Sequence, residues 1–224
     1  MSDAMRITRL DFQTIKPYAT ARTLFAMLIL LGVFAFLTNS GATGICILMA
    51  MGSFYVAYPF AVGEQNGIDT LYATLPIARG RVVTGRYLFA LCTNLLFGSI
   101  AYGVLGVITL LRGAAFDWGQ NGAVAISAFV VFTLIQAIQL PIFFRYGYAR
   151  AKMMAYLPFI GVPIVEILGS ELLKNERYHQ LALQFLDMVA ANPVLSATVA
   201  AGLWLVLMAL SLAVSQQQYG KRDF

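Results

Sequence analysis

Two apolar runs, ATGICILMAMGSFYVAYPFAV at residues 42–62 and YLFALCTNLLFGSIAYGVLGVITLL at residues 87–111, flank the polar, basic insert GEQNGIDTLYATLPIARGRVVTGR at residues 63–86. A hydrocarbon core about 30 Å thick needs about 20 helical residues to cross it, so each run is long enough to span. Their apolar residues are continuous rather than alternating, which argues for membrane helices and against a β-barrel. The chain is therefore expected to cross, turn through the insert and cross back.

The rest of the sequence extends this pattern. Of 224 residues, 60% are hydrophobic and 11% charged, and the mean hydropathy is +0.77. A water-soluble globule of that composition lacks the polar residues to cover itself. Further apolar stretches lie near Thr23–Leu37, Ala123–Phe144, Met153–Leu173 and Val194–Val214. The expected architecture is a single all-α membrane domain over residues 1–224, with six spans. Lys and Arg concentrate on one side: Arg6, Arg9, Lys16 and Arg22 in the N-terminal segment, Arg79, Arg81 and Arg86 in the insert, Arg145, Arg150 and Lys152 after the fourth span, and Lys221 and Arg222 in the tail. The other side carries Arg112, Lys174 and Arg177. By the positive-inside rule both termini and the insert face the cytoplasm. The net charge of +5 is thus a topology signal, and no basic, aromatic-interleaved surface remains for nucleic acid.

Within the insert, Ile68, Leu71, Tyr72 and Leu75 recur at i, i+3, i+4 and i+7, one face of a short helix. Pro76 stops it, Asn66 or Gly67 can begin it, and Asp69 falls in its first turn, where a carboxylate complements the helix dipole. Such a helix is marginal alone in water, so its apolar face is expected to rest on a partner.

Residues 1–20 place Arg6, Arg9, Gln13 and Lys16 on one stripe and Ile7, Leu10, Ile15 and Tyr18 roughly opposite, with Pro17 as an elbow. The pattern predicts an interfacial helix whose basic side meets anionic headgroups and whose other side dips toward acyl chains; the competing reading is a frayed basic leader. Met1–Ala19 lacks the continuous apolar core of a cleavable signal, so the first span is expected to direct insertion. Residues 171–193 interleave Leu172, Leu173, Leu181, Leu183, Phe185, Leu186 and Val189 with charged and amide residues. This suits one or two short amphipathic helices at the outer leaflet, either capping an exit or forming a plain surface loop.

The chemistry of catalysis is sparse. No G-x-x-x-x-G-K-[ST] phosphate loop occurs, His179 is the sole histidine, and Cys46 and Cys92 fall in expected spans, where they read as small packing residues. Glu166, in GVPIVEILG, interrupts the fifth span after Gly161 and Pro163. A carboxylate in hydrocarbon is costly unless it faces a partner or a wet cavity. Two readings stand: Glu166 lines the outer part of a path or a subunit interface, or it lies near enough to the boundary to reach water. An intramembrane enzyme would need convergent polar groups, and beyond Glu166, Asn94, Gln136 and Gln139 few are present. A channel lacks an obvious charged ring.

These features resemble the permease subunits of type-2 ABC transporters, six-span exporters that often work with a separate ATPase. The likeness is sharpest in residues 64–88, an acidic residue followed by Leu-Tyr-x-x-Leu-Pro, a basic stretch and Arg-Tyr at the start of the next span. The resemblance implies that residues 1–20 are an interface helix, that residues 63–78 hold a cytoplasmic coupling helix, and that residues 171–193 form outer re-entrant helices. It implies docking to the ATPase through Ile68, Leu71, Tyr72 and Leu75 with Glu64 and Asp69 at the rim, while Arg6, Arg9, Lys16, Arg79, Arg81 and Arg86 anchor at headgroups. The implied assembly is two permeases, identical or related, with two ATPases that carry ATP and Mg; the permease itself binds no cofactor and is not an enzyme. The implied location is the bacterial plasma membrane. The cargo implied is an amphipathic or hydrophobic peptide such as a bacteriocin or cytolytic peptide, the alternatives being small-molecule drugs, lipid-linked glycans or a channel outside the family.

Overall fold

The computed structural model describes residues 3–17, 20, 22, 25–26, 29, 32–33, 41–68, 78–113 and 115–221. Its helices, in chain order, are α1 (Asp3–Ile15), α2 (Gly41–Gln65), α3 (Arg79–Leu111), α4 (Trp118–Tyr146), α5 (Tyr148–Ala155), α6 (Leu157–Leu172), α7 (Glu176–Ala191) and α8 (Pro193–Gly220). No strand occurs among the described residues.

Four of these helices, α2, α3, α4 and α8, are long and apolar enough to cross a membrane. They take up the second, third, fourth and sixth expected spans. The helix α3 has 33 residues, about 50 Å at 1.5 Å per residue, and begins at Arg79 rather than Tyr87, so its basic first turns precede the hydrocarbon-length run. Its neighbour α4 starts at an Asp117 cap, whose carboxylate accepts from the Gln120 N–H at 2.9 Å. The expected first span, Thr23–Leu37, lies largely outside the described residues.

The expected fifth span is divided. Its first part belongs to α5, and α6 begins after Tyr156 with Pro158 in its first turn, where a residue lacking an N–H costs the helix no bond. The 16 residues of α6 reach about 24 Å, short of the hydrocarbon thickness. The amphipathic stretch that follows forms α7, capped by the Asn175 side chain accepting from the Arg177 N–H at 3.1 Å.

Packing radiates from α3, which contacts α1, α2, α4 and α8, while α4 also holds α2, α5 and α8. Two apolar clusters result. One, nearer the polar insert, joins Ile7, Phe60, Val83, Tyr87, Phe143, Phe144, Ala151 and Tyr219; the other joins Ile45, Met49, Phe89, Phe97, Leu105 and Phe132. By contrast α6 and α7 leave Leu157, Ile160, Ile164, Ile167, Leu168 and Met188 exposed, a surface suited to hydrocarbon rather than water.

The N-terminal helix corrects one expectation. Ile7 and Ile15 of its apolar side pack into the bundle, with Thr8 and Asp11 also buried, while Leu10 stays exposed. The contact is close because residue 85 is glycine. A Cβ there would lie 2.8 Å from the Ile7 Cβ and 2.9 Å from the Ala4 carbonyl oxygen. Thr8 Oγ1 donates across the contact to the Gly85 carbonyl at 2.9 Å, and Phe12 meets Phe89 edge-on at 4.7 Å.

Candidate functional site

The antiparallel course of the long helices gathers the end of α2, the start of α3, the end of α4 and the end of α8 at one pole, where α1 also lies. Arg79 donates to the Gly220 carbonyl at 3.0 Å, and Arg81 pairs with Asp3, which lies 3.9 Å from Arg6. Arg6 and Arg9 of α1 are exposed, as is Lys16 in the turn after it. Arg6, Arg79 and Arg81 therefore share one end of the bundle.

At this pole α2 ends at Gln65, and Gly67 adopts φ 64°, a left-handed value that favours glycine and turns the chain out of the helix. Ile68 follows, half-buried against the apolar cluster of the bundle. It is thus partly engaged within the chain rather than wholly presented to a partner. Asp69, Leu71, Tyr72 and Leu75 lie outside the described residues.

Two expected surface residues make contacts within the chain. Glu64, expected at a docking rim, is exposed, and its Oε2 accepts from the backbone N–H groups of Tyr148 at 2.6 Å and Ala149 at 3.0 Å. Arg86 was expected at the headgroups, but it is 2% exposed, its guanidinium 4.2 Å from the centre of the Phe60 ring and 5.8 Å from that of Phe144. Aromatic faces attract a planar cation, and more strongly once water is removed. Arg86, about two turns into α3 and just before the apolar run, lies on the face of the helix that is buried in the bundle, where α2 and α4 supply rings.

Deeper in the bundle, polar side chains that looked too few to converge do meet. Asn94 Nδ2 donates to Gln136 Oε1 at 2.6 Å, Gln136 Nε2 donates back to Asn94 Oδ1 at 3.2 Å, and also to Ser53 Oγ at 3.1 Å. All three residues are at most 1% exposed, and they tie α2, α3 and α4 together. Tyr87 Oη bonds Ser211 and Ser215 of α8 at 2.6 and 2.8 Å, and Trp204 Nε1 donates to Thr133 Oγ1 at 2.8 Å. The signal for this network was present in the sequence as isolated amides within adjacent apolar runs. What could not be read was that they face one another.

Beside the network a cavity of about 410 Å³ opens between α3 and α4, lined by Asn94, Leu95, Gly98, Tyr102, Ile126 and Phe129 among others. Its wall is mainly apolar, with the Asn94 amide and Tyr102 as the polar groups; Tyr102 Oη is committed to the Trp118 carbonyl at 2.8 Å. The backbone of Glu166 lies within α6, but its side chain is outside the described residues. Among the described residues no group of three or more His, Cys, Asp or Glu side chains is placed to hold a metal ion.

Compared with known families, residues 7–220 match the family described as ABC-2 family transporter protein. No curated protein matches the chain.

Proposed function

The chain belongs to the ABC-2 transporter family, and from that premise we propose that it is the permease of an ATP-driven exporter of amphipathic or hydrophobic peptides, working as a pair of identical copies with two cytosolic ATPases in a bacterial plasma membrane. The observation that carries this reading is the family match over residues 7–220, which makes the chain a membrane subunit of an ABC transporter. The clustering of Arg6, Arg79 and Arg81 at one pole supports a cytoplasmic placement of that pole and of both termini. The end of α2 and the start of α3 lie at that pole, which supports assigning Ile68, Leu71, Tyr72 and Leu75, with Asp69 beside them, to the contact with the ATPase. ATP and Mg belong to that partner. Residues 1–20 then serve as the interface helix and residues 171–193 as the outer cap. The peptide class rests on the Leu-Tyr-x-x-Leu-Pro likeness, and the apolar wall of the α3–α4 cavity with its few polar groups agrees with an amphipathic cargo. Drugs and lipid-linked glycans share that chemistry and are the alternative cargoes.

The test replaces Leu71 and Tyr72 together with Glu in the full chain in its native membrane. Two charges on the apolar face should abolish co-purification of the ATPase and ATP-dependent export from vesicles while leaving membrane insertion intact. Export that survives the double change refutes the docking assignment. A wild-type chain that purifies without an ATPase and conducts ions passively refutes the exporter.

A further inference from the structure

The short helix α5 is held by side chains of other helices at both ends. It starts at Gly147, which has φ 74° and serves at once as the end of α4 and the cap of α5. Glycine has no side chain to receive the first N–H groups of a helix, a task ordinarily done by Ser, Thr, Asp or Asn at that position. Here the task passes to Glu64, at the end of α2, whose one carboxylate oxygen accepts from both Tyr148 and Ala149. The bonds are charge-assisted and lie at the positive end of the helix dipole. At the other end, Gln139 Nε2 of α4 donates to the Ala155 carbonyl at 2.7 Å. Ala151 and Ala155 are wholly buried between these ties. A helix of eight residues does not persist by itself, so α5 depends on these contacts.

Its position gives the cap a consequence. Glu64 is the one acidic residue of α2 and stands one residue before its end, and α5 passes through the single residue Tyr156 into α6. The start of α6 touches α2 a second time, where Phe159 stacks on Phe54 with ring centres 5.7 Å apart and planes at 10°. Resting on the exporter reading above, we propose that Glu64 is the positioning residue that passes displacement of the α2–α3 connection to α5 and so to α6. The carboxylate joins the end of α2 to α5 as one unit, so a pull on the connection moves α6 instead of merely bending α2. Glu64 acts inside the permease and does not grip the ATPase.

The experiment compares wild type, Glu64→Gln and Glu64→Ala as full chains with the partner ATPase. Gln keeps an acceptor without the charge, whereas Ala removes both. Hydrogen–deuterium exchange over residues 147–155 should quicken about tenfold or more in Glu64→Ala and less in Glu64→Gln. Peptide exported per ATP hydrolysed should fall in the same order, with the ATPase still co-purifying. Unchanged exchange overturns the cap, and faster exchange with an unchanged export ratio overturns its role in transmission. Loss of the ATPase from the Ala variant makes Glu64 a docking residue and overturns the proposal too. If no ATPase accompanies the wild type, it is the exporter reading that fails, and the exchange measurement still decides whether Glu64 holds α5.

Discussion

Replacing Gln136 with Met tests whether the bundle is held by its buried amide network or by apolar contact alone. Met keeps the length and most of the volume of Gln and is far more compatible with hydrocarbon, so a hydropathy argument expects the change to stabilise. The structure gives the opposite sign. Gln136 takes part in both bonds to Asn94 and in the bond to Ser53, and interhelical hydrogen bonds in membranes average about 0.6 kcal/mol each, so roughly 2 kcal/mol is lost directly. Both ends of the Asn94 amide then remain buried without partners, and unsatisfied groups add to the cost; the total is about 2–4 kcal/mol. Ser53 retains its bond to the Met49 carbonyl at 3.3 Å. Asn94→Leu alone strands Gln136 Oε1 and costs about 1–3 kcal/mol on the same reasoning. The double variant strands neither amide, so it should be no less stable than the worse single variant. The assay is reversible unfolding in mixed micelles, followed by the fluorescence of Trp118 and Trp204, for wild type, both single variants and the double. Additive losses within about 0.5 kcal/mol would mean that the two sites are energetically independent and would refute the network.

Two further outcomes follow from the packing around α3. Gly85→Ala drives a methyl into Ile7 and the Ala4 carbonyl and should cost roughly 1–3 kcal/mol, read as faster tryptic cleavage after Arg6 and Arg9; cleavage at the wild-type rate would mean that α1 is not held by that contact. Arg86→Lys keeps the charge but loses the planar stack on Phe60, and should destabilise by about 1–2 kcal/mol, seen as a lower Tm in detergent. A silent Arg86→Lys change would return this residue to the headgroups, where Lys and Arg serve alike.

The long apolar runs at residues 42–62, 87–111, 123–144 and 194–214 each lie inside a helix of spanning length, because run length and continuity are local properties that hydrocarbon alone selects. The same local reasoning identified the amphipathic helix after residue 171. It failed where a side chain's role depends on what faces it. Arg86 lies among arginines of similar local context, yet it is buried because Phe60 and Phe144 converge on it from two other helices. The break at Tyr156 is marked by Pro158 in the sequence, but the run of apolar residues across it reads as one span until α5 is seen tied to α2 and α4.

By itself the sequence determined an all-helical membrane protein, four of the helices long enough to cross, and the polar connection between α2 and α3, since these follow from composition and periodicity over neighbouring residues. Only the tertiary structure decided that Glu64 caps a helix 84 residues further along the chain, that Asn94, Gln136 and Ser53 form one network, and that α1 lies on α3 through Gly85. Those outcomes depend on which helix faces meet, and the rotation of one helix against another is fixed by close packing between residues remote in sequence, which no local pattern encodes.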